Sequence, residues 1–213
     1  MPLYLQQSTL LSGQSLQITG SKSESNRLLL LKALFPKIQI SNLSNSDDTQ
    51  LMQEALSSET EVVDIHHAGT AMRFLTAFFA INDGREVVLT GSNRMKERPI
   101  GILVEALRSL GADITFMENE GYPPLKIKGR KLTKSQVRLK ANVSSQYISA
   151  LLLVAPVLEN GLTIELEGKI TSVPYINMTL SLLNSIGIGT NFKDQIITVN
   201  PFNKTLLAKK TFE

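Results

Sequence analysis

The sequence predicts an α+β domain of three repeated β-α-β-α-β-β units, the first of them shortened, with parallel helices buried inside and sheets outside. Strand-like and helix-like segments alternate along the chain, and the second and third units align with a nearly constant offset. The aligned pairs are Arg73 with Tyr147, Pro99 with Pro174, and Gly111 with Gly187. The first helix of each unit is apolar nearly all round, which is typical of buried helices. A repeat of this length favours one domain of related units over two unrelated domains.

The first unit is predicted from a strand, a polar helix start and an acidic helix start. Its elements are, in order, a strand near Gln14–Thr19, a helix over Ser21–Phe35, a strand near Lys37–Leu43 and a helix over Ser46–Leu56. Ser21 followed by Glu24 fits a capping box, in which the hydroxyl accepts a backbone N–H and the carboxylate reaches back to the cap. Asp47 and Asp48 lie in the first turn of the second helix, where acidic side chains are favoured.

The second and third units repeat one pattern. For the second unit we predict a strand over Glu61–Ile65, a helix over Ala71–Ile81, a strand over Glu86–Thr90, a helix from near Pro99 to Gly111, and strands over Ala112–Met117 and Leu125–Lys128. For the third we predict a strand over Gln136–Lys140, a helix reaching Leu158, a strand over Leu162–Leu166, a helix from Ser172 to Gly187, and strands over Ile188–Phe192 and Gln195–Val199. Proline in the first turn and glycine after the last turn delimit each second helix.

Composition excludes several classes of function. No apolar run in the 213 residues reaches the ~18 that a membrane helix needs, and the first residues lack the pattern of a signal peptide. With no cysteine there is no disulfide, cysteine zinc site or cysteine nucleophile, which fits a cytoplasmic protein. The net charge of +3 mildly favours anionic ligands. No basic run or basic–aromatic alternation indicates nucleic acid.

Polar helix starts are the candidate functional features. Lys22 and Arg27 flank the first start, Gly69-Thr70-Ala71-Met72-Arg73 forms the second, and Ser144-Ser145-Gln146 forms the third. Helix starts carry partial positive charge, so three of them at one end of a domain would favour a phosphate or carboxylate. Taken singly, each start also fits an ordinary capped helix with solvated side chains. The same two interpretations hold for the cationic loop from Arg94 to Pro99, and for Ser172 with Tyr175.

The His66-His67 pair does not predict a metal site. Adjacent residues in an extended segment point apart, and the chain offers no second group of histidines or cysteines. The sequence also lacks a glycine-rich nucleotide fingerprint and a readable Ser-His-Asp order. We therefore expect neither a metal nor a cofactor.

Six motifs together resemble one family. They are Gly20-Ser-Lys-Ser-Glu-Ser-Asn-Arg27, Ala68-Gly-Thr-Ala-Met-Arg73, Arg94-Met-Lys-Glu-Arg-Pro-Ile100, Tyr122-Pro-Pro-Leu125, Val143-Ser-Ser-Gln146 and Ser172-Val-Pro-Tyr175. In this order they resemble the 5-enolpyruvylshikimate-3-phosphate synthase (3-phosphoshikimate 1-carboxyvinyltransferase) family over almost the whole chain. The resemblance implies transfer of an enolpyruvyl group from phosphoenolpyruvate to the 5-hydroxyl of shikimate-3-phosphate, on the route to chorismate and aromatic amino acids. It also implies the fold of the enolpyruvyl transferases, a monomer of two similar domains.

The resemblance assigns roles to individual residues. Lys22 would contact both substrates, as a proton donor or charge stabiliser, and Gln146 would lie between them. The residues implied to hold shikimate-3-phosphate are Ser23, Arg27, Ser144, Ser145, Ser172 and Tyr175. Those implied on the phosphoenolpyruvate side are Gly69 and Arg94 as ligands, with Thr70 and Arg73 in the wall.

The chain departs from the family pattern in four ways. His67 stands where relatives usually carry Asn, Phe74 replaces a common proline, and the first unit lacks a closing strand pair. The chain also stops at Glu213, whereas relatives continue into a second half that carries the catalytic aspartate and glutamate. We therefore expect an N-terminal domain over 13–204, with residues 1–12 belonging to the second domain and 205–213 beginning the crossover to it.

Three other functions compete with this interpretation. A non-catalytic module could bind another phosphorylated metabolite through the same helix starts. A UDP-amino-sugar enolpyruvyl transferase would use a loop cysteine, which this chain lacks. RNA 3′-phosphate cyclisation would need a nucleotide site and a catalytic histidine, and the motifs do not indicate them.

Overall fold

The helices and strands follow the predicted order closely. The computed structural model describes residues 3–4, 6–9, 11–140, 144–202 and 210–212. The helices there are α1 Lys22–Leu34, α2 Asp47–Ser57, α3 Gly69–Ile81, α4 Asn93–Lys96, α5 Gly101–Leu110, α6 Ser145–Val154 and α7 Val173–Ser185, with a 3-10 turn over Ala155–Val157. The strands are β1 Ile38–Ile40, β2 Val62–Asp64, β3 Glu86–Thr90, β4 Asp113–Phe116, β5 Leu125–Lys128, β6 Gln136–Lys140, β7 Leu162–Glu167, β8 Thr190–Lys193, β9 Ile196–Val199 and β10 Lys210–Phe212. The α+β class is confirmed.

The second and third units share one topology. Their sheets have the strand orders β2-β3-β5-β4 and β6-β7-β9-β8. In each sheet the first pair is parallel, with Val62 opposite Val88 and Val137 opposite Ile164, and the other pairs are antiparallel. A parallel pair needs a crossover, which α3 and α6 supply. Each unit therefore presents the start of one helix at the same end of its sheet.

The first helix of every unit lies in the core. In α3 and α6 the side chains are buried on nearly every face, from Met72 to Phe79 and from Tyr147 to Val154, except that Phe78 is half-buried. In α1 the burial begins at Ser25 and continues through Leu31. Apolar surface buried all round leaves no amphipathic stripe, which confirms the prediction that these three helices are internal.

Two sequence predictions about the first unit are wrong, and one strand pairing was not predicted. No strand forms over Gln14–Thr19; Leu16 and Ile18 are exposed, and no described strand pairs with the segment. A strand needs a hydrogen-bonded neighbour to be stable. Ser21 occupies the N-cap of α1, but its hydroxyl makes no capping bond, so the capping box is absent. Strand β1 pairs in parallel with β10, a pairing the sequence did not predict.

Two further differences concern helix starts. The helix expected from Pro99 begins at Gly101, and the short helix α4 precedes it in the cationic loop. The hydroxyl of Ser92 caps α4 by accepting the N–H of Met95. Val143, the first residue of the Val143-Ser-Ser-Gln146 motif, and residues 205–209 and 213 of the expected crossover lie outside the described residues.

Candidate active site

The starts of α1, α3 and α6 meet at one end of the domain. They line a cleft of about 310 Å3, here called the first pocket, whose residues are Lys22, Ser23, Arg27, Thr70, Ser144, Ser145, Gln146 and Tyr175. A second pocket of about 350 Å3 shares three of these residues and is lined by Lys22, Ser46, Asp47, Asp48, His67, Gly69, Thr70, Arg98 and Gln146. The structure thus brings together helix starts that lie up to 120 residues apart in the sequence, as the repeat predicts.

Gln146 lies between the two pockets. Its Nε2 donates a hydrogen bond to Thr70 Oγ1 at 3.2 Å, which connects the start of α6 to the start of α3. Its backbone N–H donates to the hydroxyl of Ser144 at 3.3 Å, so Ser144 is the N-cap of α6. This arrangement fixes the amide side chain at the boundary, and among the described residues its carbonyl oxygen accepts no hydrogen bond.

Arg27 is a buried cation that joins three helices. Its Nε donates to Thr179 Oγ1 at 2.7 Å, and its Nη2 donates to Ser149 Oγ at 2.9 Å. Its Nη1 donates to the Ser23 carbonyl at 2.7 Å, and the side chain is 2% exposed. Burial lowers the pKa of the Arg27 guanidinium to about 10, an effect that Tyr175 partly opposes. Arg27 is therefore a packing residue as well as a wall of the first pocket.

Arg73 is buried in a second cluster beside the second pocket. Its Nη2 donates to the Pro99 carbonyl at 2.8 Å, and the Tyr147 hydroxyl donates to the same oxygen at 2.6 Å. Burial lowers the pKa of the Arg73 guanidinium; Tyr147 opposes this effect, and the neighbouring Arg98 cation adds to it. Its Nε is buried without a hydrogen-bond partner among the described residues. The repeat aligns Arg73 with Tyr147, and the two aligned side chains meet at one carbonyl group.

The two outer arginines of the cationic loop differ in position. Arg94 is 82% exposed in its side chain, and its Nη1 pairs with Glu97 at 2.7 Å outside both pockets. The side chain of Arg98 lines the second pocket and lies against Gly69 at the start of α3. A Cβ atom at Gly69 would overlap the Arg98 guanidinium, so the absence of a side chain there permits this contact. Sequence reasoning named Arg94 as a ligand and included Arg98 only as a loop cation.

The second pocket also holds carboxylates that sequence reasoning assigned only to a helix start. Asp48 accepts a hydrogen bond from Asn26 Nδ2 at 2.7 Å, and Asp47 lies 3.9 Å from His67 Nε2. Both acids come from the first turn of α2, which packs beside α3. In the sequence, Asp47 and Asp48 were noticed only as acids in the first turn of a helix. No local sequence pattern indicated that this turn faces the other helix starts.

The two histidines face each other, contrary to the expectation that they point apart. His66 adopts a left-handed backbone with φ of 49°, so the segment is not extended there. The two Nδ1 atoms are 2.6 Å apart, and the rings meet edge to face. A hydrogen bond between these atoms needs one ring to donate through Nδ1 and the other to accept. Within the described ranges, no cluster of three or more histidines or acids could hold a metal ion.

Two predicted residues of α7 occupy different places. Tyr175 lines the first pocket with its side chain half exposed, and its carbonyl accepts from Thr179 Oγ1 at 3.0 Å. Ser172 is the N-cap of α7 but has a φ of 56° and makes no capping bond. Ser172 lines neither pocket. A larger cavity of about 720 Å3 lies among Leu34, Ile81 and Leu158, at the opposite ends of α1, α3 and α6.

The fold, an α+β domain in which the starts of α1, α3 and α6 meet at one end, is that of part of two solved synthase structures. Two solved structures of EPSP synthase from Acinetobacter baumannii share the fold, each with a TM-score of 0.74, 19% sequence identity, and coverage of 92% of this chain. They are covered over 49% and 48% of their own lengths. Among the described residues, no helix is both long and apolar enough to cross a membrane.

The sequence comparisons identify the family. The profile of EPSP synthase (3-phosphoshikimate 1-carboxyvinyltransferase) matches residues 53–212, and the chain belongs to this family. A 3-phosphoshikimate 1-carboxyvinyltransferase from Bacteroides fragilis (strain YCH46) is 53% identical over 189 residues, which cover 88% of this chain and 46% of that protein. One from Aliivibrio salmonicida is 39% identical, covering 99% of this chain and 55% of that protein. The chain thus spans about half the length of the curated relatives it matches.

Proposed function

We propose that this chain is the half of a 3-phosphoshikimate 1-carboxyvinyltransferase that holds both substrates on the floor of the cleft. The reaction would join the 5-hydroxyl oxygen of shikimate-3-phosphate to the enolpyruvyl carbon of phosphoenolpyruvate and release phosphate. The convergence of three helix starts with Lys22, Thr70 and Gln146 in two adjoining pockets carries the proposal. Two adjoining anion-binding pockets suit two anionic substrates that must react with each other.

The first pocket is proposed to bind shikimate-3-phosphate. The hydroxyls of Ser23, Ser144 and Ser145 and the N–H groups at the start of α6 would bind the phosphate, with Tyr175 beside the ring. Arg27 would contribute its remaining N–H, since its other donors bond to the protein. Ser172 belongs to the same proposed set.

The second pocket is proposed to bind phosphoenolpyruvate. Gly69 allows an anion to approach the first N–H groups of α3, and Thr70 and Arg73 would form the wall. Arg94 is the proposed carboxylate ligand, and it would have to leave its ion pair with Glu97 outside the pocket to reach the carboxylate. Lys22 lines both pockets, so it can stabilise charge on either substrate or give a proton to the reacting enol. Gln146 would contact both substrates from the boundary.

A second domain is part of the proposal. Addition of a hydroxyl to an enol needs a general base and a proton donor, together with charge stabilisation in a closed site. We propose that residues 13–204 form this domain, that 1–12 join the second one and that 205–213 lead to it. The whole enzyme would be a cytoplasmic monomer. This half alone would bind shikimate-3-phosphate without turnover.

Calorimetry tests the proposed binding. We expect the chain to bind shikimate-3-phosphate, and we expect Ser145→Ala to weaken binding about tenfold, because it removes a charge-assisted hydrogen bond. Ser109→Ala, a serine replacement on α5 away from both pockets, is the matched control. A clear preference for an unrelated phosphorylated metabolite would favour a non-catalytic module. Release of phosphate from phosphoenolpyruvate by this chain would contradict the need for a second domain.

A further inference from the structure

We infer that His67 is a proton-dependent anion ligand of the second pocket, and that His66 is a positioning residue that holds the His67 ring through their Nδ1 atoms. When the His67 ring is protonated to the imidazolium, it adds a positive charge before the start of α3. Anion binding in the second pocket should therefore strengthen as pH falls. The inference rests on the proposed function only for the identity of the anion, phosphoenolpyruvate, and it concerns two residues to which that function gives no role.

The first observation is the position of His67. It lines the second pocket together with Lys22, Gly69 and Arg98. The next residue, Ala68, is the N-cap of α3, so His67 directly precedes the first turn of this helix. The N–H groups of a first turn carry partial positive charge. A protonated imidazole there adds a full charge and a further N–H donor to the groups that an anion would contact.

The second observation is that the two rings can take up one proton without losing their hydrogen bond. The Nδ1 atoms of His66 and His67 are 2.6 Å apart, and the ring centroids are 4.9 Å apart in an edge-to-face arrangement. One added proton makes the donor ring an imidazolium and leaves the acceptor ring neutral, so the contact becomes a charge-assisted hydrogen bond. A second added proton would put an N–H on both Nδ1 atoms and break the contact. The geometry thus suits a pair that carries a single positive charge.

The third observation places that charge on His67. Asp47 Oδ2 lies 3.9 Å from His67 Nε2, which is within ion-pair distance of a protonated ring. Asp64 is the acid next to His66 in the chain, but its Oδ1 accepts the backbone N–H of His66 at 2.7 Å. Among the described residues, no carboxylate lies within ion-pair distance of the His66 ring. Of the two rings, His67 therefore has the acid that can pair with an imidazolium.

The fourth observation is that the backbone fixes His66. Its φ of 49° is left-handed, which turns two consecutive side chains toward each other instead of to opposite sides. Its N–H is bonded to Asp64, and its carbonyl accepts the N–H of Ser92 at 2.9 Å. A Cβ atom at Gly91 would overlap this carbonyl, so the glycine permits the close approach. His66 is therefore held on both sides and can keep the His67 ring at the pocket.

The charges around the pair couple proton uptake to anion binding. Lys22 and Arg98 oppose an added proton, whereas Asp47 and Asp48 favour it. An anion bound beside the two cations would offset their charge, so the proton and the anion would each favour the binding of the other. The other charged groups on neighbouring elements are Asp64 on β2, Arg73 on α3, and Arg94, Lys96 and Glu97 at α4, of which Arg94 pairs with Glu97 and Lys96 with Glu118.

NMR titration of the purified chain with phosphoenolpyruvate tests the inference. The amide resonances of Gly69 and Thr70 report its binding, and the imidazole resonances report protonation of the only two histidines in the chain. Histidine changes charge between about pH 5 and 8. From pH 8 to pH 6 we expect the affinity of wild type to rise about fivefold more than that of His67→Asn, because the amide cannot carry the charge. Titration of the phosphate of the probe is common to both proteins and cancels in this comparison.

Two further variants test how the proton is held. His66→Asn keeps a residue that tolerates the left-handed backbone but removes the ring. It should reduce the pH dependence of phosphoenolpyruvate affinity while the thermal midpoint stays near that of wild type. Asp47→Asn should move the His67 titration to lower pH. Asp194→Asn removes an exposed acid that lies beside Lys193 on the outer sheet, and as the matched control it should leave that titration unchanged.

The outcomes separate this inference from the proposed function. Equal pH dependence in wild type and His67→Asn would overturn the inference. So would a His67 ring whose titration does not move to higher pH when phosphoenolpyruvate binds, or a wild-type chain that binds no anion. If phosphoenolpyruvate binds no better than inorganic phosphate, but both move the His67 titration, the proposed function fails and the role of His67 stands.

Discussion

Replacement of Arg27 by methionine tests whether this cation is a buried structural group. Methionine fills a similar volume, so Arg27→Met removes the charge and its donors without opening a large cavity. Three of the hydrogen bonds are 2.7 to 2.9 Å long, and their loss is destabilising. The oxygens of Thr179 and Ser149 keep a hydrogen bond to each other at 3.1 Å. Because few acceptors are left unsatisfied, we expect a loss of about 1–3 kcal/mol in the free energy of unfolding at pH 8.

The pH dependence of the loss in unfolding free energy tests the burial of the Arg27 cation more directly. Burial lowers the pKa of Arg27 from its ordinary value to about 10, which corresponds to roughly 3 kcal/mol of desolvation against the buried cation. Between this lowered pKa and the ordinary one, the unfolded chain binds more protons than the folded one, so stability rises with pH. Well below pH 10, Arg27 is protonated in both the folded and the unfolded chain, so its contribution to the free energy of unfolding is constant. At pH 11 the wild-type chain should gain about 1 kcal/mol relative to Arg27→Met.

Urea unfolding at pH 8 and pH 11 measures this difference. Ionisable groups that do not interact with Arg27 affect wild type and variant equally, so their contributions cancel in the comparison. Arg138→Met is the matched control, because the hydrogen bond to Glu165 raises the pKa of exposed Arg138. The difference in unfolding free energy between wild type and Arg138→Met should therefore not grow between pH 8 and pH 11. If the difference between wild type and Arg27→Met shrinks as pH rises, the cation is favoured by the fold and the reasoning fails.

Three further predictions concern the neighbouring packing. Tyr147→Phe should lower the unfolding free energy by about 0.5–1.5 kcal/mol in urea, since it removes one hydrogen bond to a carbonyl that keeps its other donor. Under the proposed function, Gly69→Ala should weaken phosphoenolpyruvate binding in calorimetry, because a methyl group there would crowd the Arg98 side chain and the first N–H groups of α3; unchanged affinity would argue against this site. Gly161→Ala should cost more than about 2 kcal/mol by thermal unfolding, because φ is 65° and the new methyl would meet the β9 backbone.

The sequence could predict helices better than long-range strand pairing. Apolar periodicity and the punctuation at Gly111 and Gly187 are local, and both glycines adopt positive φ where α5 and α7 end. The pairing of β1 with β10 joins segments about 170 residues apart, and no local pattern specifies it. The segment at 14–19 shows the converse: its alternation suits a strand, but no neighbour pairs with it in the described structure.

The site, too, depends on long-range packing that local sequence patterns do not specify. The residues at the helix starts were predicted because a cap or glycine marks each start. Arg98 and Asp47 enter the second pocket only through the packing of α2 and the 95–99 loop against α3, which is a tertiary property. The burial of Arg73 was also not predictable, because its contact with Pro99 depends on the folding of the second unit and its contact with Tyr147 depends on the second and third units meeting.

Burial divides the cleft cations into two groups with different functions. Arg27 and Arg73 are 2% and 4% exposed, and their donors bond to hydroxyls, carbonyls and a sulfur atom of the protein. Lys22 and Arg98 reach the pockets with greater exposure. A buried arginine already bonded on several sides can add little new hydrogen bonding to a ligand, whereas its removal disturbs packing between helices. Under the proposed function, the charge that an anion would meet on this domain therefore comes mainly from the second group, while the first group holds the helix starts in place.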